Sequence, residues 1–273
     1  MQPDEVFLPR AVHIYDGART DALDLEQIGG FVRSILPTAS VVVKSDVIEL
    51  AIERLSGSEK EQRLDELAHA LAMARVHNVA AQEETDSVSY GEVDYERRRM
   101  LNSESKAFGI LYDGHKLNAM YADLVPEDQL DIENAHIIFT NQLFGTWDEN
   151  DCRYHARVAV YSYPSVISTS GIVEAPARPR DFYLKRQLGV DPLSLKEEFR
   201  GRVIDHDDPR LTDAMKGYVA QALFYHMTGD PFCQNKTCRL YNAHWQEELI
   251  QAQLTGDDFC PEHAAFLSQV VGS

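Results

Sequence analysis

Apolar residues recur along this chain with two periods, and the alternation between them sets out its elements. Residues 11–15 (Ala-Val-His-Ile-Tyr) form a short apolar run closed by the turn pair Asp16-Gly17, which predicts a strand. From Asp24 to Leu36 the apolar positions Leu25, Ile28, Phe31, Val32, Ile35 and Leu36 fall on one helical face, ended by Pro37. Ser40 to Lys44 reads as a second strand, so strand, helix and strand make a βαβ unit with parallel strands. Helical spacing returns from Asp46 to Leu55 and from Glu59 to Val76, where Leu64, Leu67, Ala68, Leu71 and Ala72 share a face. Residues 78–107 are polar and charged, with Glu83-Glu84 and the run Arg97-Arg98-Arg99; they predict a loop or exposed insert whose arginines face solvent.

Strands follow over Phe108 to Tyr112, His136 to Thr140, Arg153 to Tyr163 and Val166 to Ser170, with a short helix over Leu117 to Leu124. Helices are predicted for Arg178 to Leu188, for Leu211 to Met227 with Gly229 as its stop, and for Trp245 to Leu254 with Asn242 as N-cap. The fold class is therefore mixed, α+β or α/β. It reads as an N-terminal α/β region with a helical insert (1–130) and a second region (131–273), or as one continuous domain.

Composition narrows the function classes. The 273 residues carry a formal charge of −18, and such a field repels a phosphate backbone, so nucleic acid is not the expected partner. No run of about 18 apolar residues offers a transmembrane helix. Met1-Gln2-Pro3-Asp4-Glu5 lacks the basic and apolar regions of a signal peptide. Four cysteines in a chain of this length suit a reducing compartment, and a cytoplasmic location is expected.

Three of those cysteines stand together. Cys233 and Cys238 are spaced C-x4-C, 21 residues follow, and Cys260 and His263 are spaced C-x2-H. Thiolates and one imidazole are the donors a tetrahedral Zn2+ prefers, and two close pairs split by an insert bring four ligands together. Four protein ligands leave no position for water, so the predicted zinc is structural and its binding energy is folding energy.

Just upstream, Ala222-Leu223-Phe224-Tyr225-His226-Met227-Thr228-Gly229-Asp230-Pro231-Phe232 overlays the pattern H-E-x-x-H-x-x-G-x-x-H and runs straight into Cys233. In that join the chain resembles the archaemetzincins, whose catalytic motif leads directly into a structural zinc site. Residues 137–140, 153–157, 168–176 and 242–248 are similar to a mostly archaeal family of candidate metallopeptidases. The resemblance implies a zincin-like mixed sheet packed with helices, a C-terminal structural zinc and a cleft beside the sheet edge. The departures are chemical. Ala222, Leu223 and Phe232 stand where the first ligand, the general base and the third ligand would be, and only His226 and Gly229 keep the pattern. The expectation is a zinc protein with a degenerate catalytic motif, a pseudopeptidase whose cleft holds a peptide or protein partner.

The alternative is a divergent metallopeptidase with a relocated metal. Its candidates are His226, His244 with Glu247 and Glu248 at i, i+3 and i+4, and an acid–base pair of His155 with Glu174 near Arg153. Each has a plainer reading: a satisfied histidine, a helix start with acids in its first turn, or an ionic network. Asp205, His206, Asp207 and Asp208 read as a hard-cation site or as a loop that caps the next helix.

Overall fold

The computed structural model describes residues 6–82, 87–102, 109–256 and 258–271. Strand β1 (Ala11–Gly17) is followed by helix α1 (Leu25–Ile35) and strand β2 (Ser40–Ser45), which pairs parallel to β1 with Ile14 opposite Val43. Asp24 caps α1 by accepting from the Gln27 N–H, and Leu25, Ile28, Phe31 and Val32 make its buried stripe. Helices α2 (Val47–Glu53), α3 (Gly57–Met73) and α4 (Tyr90–Leu101) precede strand β3 (Leu111–Asp113) and helix α5 (Gly114–Ala122). Strands β4 (Asn134–Thr140), β5 (Leu143–Asp148), β6 (Arg153–Arg157), β7 (Ala159–Val160) and β8 (Ser165–Ser168) complete two sheets.

The larger sheet has the order β2-β1-β4-β8-β7 and the smaller β3-β5-β6. The first four strands of the large sheet run parallel, and β7 joins its edge antiparallel to β8. Because β1 pairs with both β2 and β4, this sheet contains strands from both sides of residue 130.

Side chains alternate across a strand, and here both faces are covered. Val12, Ile14, Ile137, Phe139 and Ile167 pack towards α1 and towards the long helix Leu211–Thr228, while Tyr15, Ile138 and Val166 pack towards α2, α3 and α5. This accounts for the adjacent apolar pairs Ile137-Ile138 in β4 and Val166-Ile167 in β8, where a half-exposed sheet would alternate.

Beyond β8 come α6 (Gly171–Glu174), α7 (Arg180–Gln187), α8 (Pro192–Glu198), α9 (Leu211–Thr228), α10 (Gln246–Ile250), which runs on as a wider turn through Gln251–Thr255, and α11 (Pro261–Val271). Gly229, at φ 74°, ends α9 in the left-handed conformation and donates its N–H to the Tyr225 carbonyl at 2.8 Å. No helix of the described residues is long and apolar enough to cross a membrane.

Several expectations are corrected. The polar stretch is not all loop: Ser89 and Glu92 form a capping box that starts α4. Of the run Arg97–Arg99, Arg98 does face solvent, whereas Arg99 is buried and Arg97 pairs with Glu61 and Asp65 of α3. The strand expected over Arg153 to Tyr163 is broken at Val158. Arg157 pairs with Phe144 in the small sheet, whereas Ala159 pairs with Ile167 in the large one, so the chain changes sheets there. Helix α8 starts with Asp191 as N-cap and Pro192 in its first turn, a start signal present in the sequence. The N-cap of α10 is Trp245 and not Asn242, because residues 244–246 first bond to Ala177. The acidic N-terminal pentapeptide, Glu83-Glu84 and Phe108 lie outside the described residues.

Two histidines sit inside this apolar sheet. His13 and His136 are register partners on β1 and β4, and their rings stack at 4.7 Å. His136 Nε2 donates to the Gln129 carbonyl at 2.9 Å, so Nδ1 accepts from the Tyr15 hydroxyl at 3.0 Å. Burial lowers the His136 pKa from 6.5 to about 4. The folded state thus refuses a proton that the unfolded chain takes. Stability from this group is complete above pH 6.5 and is lost as pH falls towards 4, about 3 kcal/mol in all. Buried Asp46, whose carboxyl is raised by burial, acts in the opposite direction. The urea midpoint is therefore expected to drop between pH 7 and pH 5, and His136→Gln to flatten that drop. An equal drop in the variant would remove His136 as its source.

A candidate metal centre and the cleft beside it

The loop after α9 folds back on itself. The Cys233 N–H donates to the Leu240 carbonyl at 2.9 Å, that of Cys238 to Asn235 at 3.1 Å, and that of Tyr241 to Cys238 at 2.9 Å. These bonds aim Cys233 and Cys238 inward. Pro261 opens α11 and sets His263 in its first turn, next to Cys260. The ligand atoms of Cys233, Cys238, Cys260 and His263 all lie within 4.8 Å of one another, and all four residues are buried. Cys233 Sγ is 3.8 Å from Cys260 Sγ, and Cys260 Sγ is 3.0 Å from His263 Nδ1. Two sulfurs each ~2.3 Å from a tetrahedral ion stand about 3.8 Å apart, whereas a disulfide would need about 2 Å.

The donor chemistry fits a cation. Burial pushes the Cys233 thiol up to about 12 and raises that of Cys238, so neither ionises unaided. Burial also lowers His263, keeping the imidazole in its neutral, ligating form. A divalent ion supplies the charge that three adjacent thiolates need. Phe224 of α9 lies edge-on to His263 at 5.3 Å and touches Phe259 and Phe266, so the centre is walled by the helix before it.

Beside the centre lies a cleft of about 370 Å3. Strand β6 contributes His155 and Arg157, the end of β7 contributes Tyr161, α9 contributes Tyr218 and Gln221, and Phe232 and His244 close it. Gln221 is fully engaged: its amide oxygen accepts from the Tyr161 hydroxyl, and its Nε2 donates to the carbonyls of Arg239 and Tyr241 at 3.1 Å each. It ties α9 to the cysteine loop. Tyr161 stands edge-on to Phe232 at 5.9 Å. Burial raises the phenols of Tyr161 and Tyr218, which stay protonated.

Of the residues overlaid on the catalytic motif, only Phe232 reaches this cleft. Ala222 and Leu223 are buried in the core. His226 turns the other way: its Nε2 donates to the Ile132 carbonyl at 2.8 Å, and burial lowers its pKa. His155 and His244 meet at the cleft, although 89 residues separate them in sequence. Their expected partners do not join them. His155 bonds Asp151 at 2.7 Å and not Glu174, which lies 4.0 Å from His206. His244 precedes α10, so it shares no helix face with Glu247, which pairs with Arg202 at 2.7 Å. Glu248 accepts from Lys236 and from the His244 N–H.

The carboxylates of the acidic loop are engaged by neighbours, Asp205 by Lys196 of α8, Asp208 by Arg210 and Asp207 by the Thr20 hydroxyl. Asp148, Asp151 and His155 form the other group whose ligand atoms lie within 4.8 Å of each other among the described residues. Sequence reasoning missed Arg157, Tyr161, Tyr218 and Gln221 as cleft residues. The period of β6 does put His155 and Arg157 on one face, but nothing local said that α9 would lie opposite.

Comparison with known proteins bears on this geometry. The family model described as "Probable metallopeptidase family (DUF6775)" matches residues 8–270. No curated protein matches the chain. Among solved structures it is similar to a zinc-dependent peptidase from Methanocorpusculum labreanum, with 12% identity over 94% of this chain and 99% of that one and a TM-score of 0.41, too loose to align individual residues.

Proposed function

This chain belongs to the probable metallopeptidase family, and from that premise we propose that it is a zinc-bound pseudopeptidase whose cleft holds a peptide or protein segment without cutting it. The observation that carries this reading is the chemistry of α9. The residues it turns to the cleft are Tyr218 and Gln221, neither a metal ligand nor a base, and His226 is spent on a backbone carbonyl. Cys233, Cys238, Cys260 and His263 hold one zinc in a closed shell, which stabilises the tail and leaves no position for water. The in-frame join of His226, Gly229 and Phe232 to Cys233 supports descent from an archaemetzincin-like enzyme. Four cysteines outside any disulfide suit the cytoplasm.

A second reading, a metallopeptidase with a relocated metal, is favoured by one observation. Asp148, Asp151 and His155 offer three nitrogen and oxygen donors within 4.8 Å, and His155 also lines the cleft. Three protein ligands with open positions is the catalytic pattern. Incubating the zinc-loaded chain with a tryptic peptide mixture separates the two by mass spectrometry. The first reading expects retained but intact peptides. Cleavage that disappears in Asp151→Asn or His155→Gln supports the second.

A further inference from the structure

The wall of the cleft has a sign of its own. The chain holds 44 aspartates and glutamates against 26 lysines and arginines, yet no carboxylate of the described residues lines this cleft. Its charged and titratable wall groups include Arg157, His155 and His244. Four further cavities each carry at least one aspartate, among them Asp113, Asp131 and Asp205. The largest, about 770 Å3 between α7, α8 and the loop before α9, has five basic residues, but Lys196 and Arg210 are neutralised by its own aspartates.

Arg157 is held and left open at once. Its Nε donates to Thr146 Oγ1 at 2.8 Å, which fixes the plane of the guanidinium, and among the described residues it has no carboxylate partner. One N–H is used; the other four remain in a rigid fork that matches a carboxylate. Asp148 stands within electrostatic reach of Arg157 without bonding it, while Asp151 is bonded to His155 Nε2 and Glu248 accepts from the His244 backbone. A half-buried guanidinium with no carboxylate bonded to it among the described residues directs a positive field into the cleft, weakened but not cancelled by Asp148. The aromatic rings of Tyr161, Tyr218 and Phe232 offer apolar surface next to it.

We infer that the cleft receives a carboxylate of its ligand, gripped by the free edge of Arg157, with an apolar side chain of the same segment against Tyr161 and Phe232. This deepens the peptide-holding reading and rests on it. The carboxylate could be a side chain or a chain terminus, and the probes distinguish the two.

The test uses the zinc-loaded full chain and three hexapeptides of alanine with one phenylalanine: one blocked at both ends with a glutamate, its glutamine counterpart, and one with a free carboxyl terminus. Calorimetry is expected to show at least one carboxylate probe binding about tenfold or more tighter than the glutamine probe. Arg157→Gln is expected to abolish that preference while the cysteine centre keeps its zinc. Arg157→Lys, which keeps the charge and loses the fork, retains only part of it and serves if the glutamine variant does not fold. Equal binding of all three probes, or a preference unchanged in the Arg157 variants, overturns the carboxylate inference and leaves peptide holding intact. If no peptide binds, glutarate decides: protection of the fold by glutarate that needs Arg157 keeps the anion site and removes the peptide reading, and no response to glutarate removes both.

Discussion

Stripping zinc from the purified protein with a strong chelator at neutral pH is expected to unfold everything after α9. The four ligands come from a loop and a helix start that pack on the core through Leu240, Phe259 and Leu267 and meet each other at the Arg239–Asp258 bonds and at the ligand cluster, where three thiols need a cation. Structural zinc of this donor type contributes on the order of 10 kcal/mol or more, a sum comparable to the whole stability of an ordinary domain. Without the ion, three buried sulfurs would sit crowded, with Cys233 and Cys260 already 3.8 Å apart, and burial would keep Cys233 and Cys238 as thiols. Limited proteolysis should then cut between Cys233 and Cys260, and Cys238→Ser should behave like the chelated protein even with zinc present. Because α9 packs on the centre through Phe224, its C-terminal turn should loosen too, and the Gln221 clamp on the loop carbonyls would lose its partners. A chelated chain with unchanged protease resistance would mean that packing alone holds the tail.

The second large effect lies far from the metal. Glu96 is wholly buried and accepts from Arg75 Nε at 2.8 Å, from Arg99 Nε at 2.9 Å and from the Tyr112 hydroxyl at 2.8 Å. Arg99 is itself buried, so Glu96→Ala leaves a guanidinium in the core without a counter-charge. Breaking a buried pair from one side costs about 3–5 kcal/mol. In a chain of this size that lowers Tm by roughly 10 °C. Glu96→Gln keeps the shape and drops the charge, and should fall between. The neighbouring Arg98→Ala, whose ion pair with Asp94 is solvent-exposed, should cost under about 1 kcal/mol. Similar losses at Glu96 and Arg98 would show that the network is not a buried one.

These two sites also mark what could be read from the sequence. The cluster of Cys233, Cys238, Cys260 and His263 was legible because its chemistry is written in spacing: three rare residues and a histidine in two close pairs need no tertiary knowledge. The βαβ start, α9 with its glycine stop, and the apolar run of β4 were legible because periodicity and caps are local. The Arg97–Arg99 run misled because charge was taken for exposure, and only the fold brings Arg75 and Tyr112 to Glu96. The break at Val158 was hidden because both halves of the segment alternate alike; which sheet each half joins is decided by β5 and β8. The cleft was half visible. His155 and His244 stood out as residues, but their meeting depends on Ala177 bonding to residues 244 and 246, a long-range contact with no local signature. Of the three overlay positions that carry no ligand, Ala222 and Leu223 are turned into the core and Phe232 lines the cleft, a division the spacing alone does not reveal.

The most direct measurement is the zinc content of the purified full-length chain by elemental mass spectrometry, taken beside that of a Cys233→Ser, Cys260→Ser double variant. The account predicts one zinc per chain, none in the double variant, and no further ion that chelation removes without loss of fold. Two zincs per chain, one of them persisting in the double variant, or none in the parent protein, would contradict it.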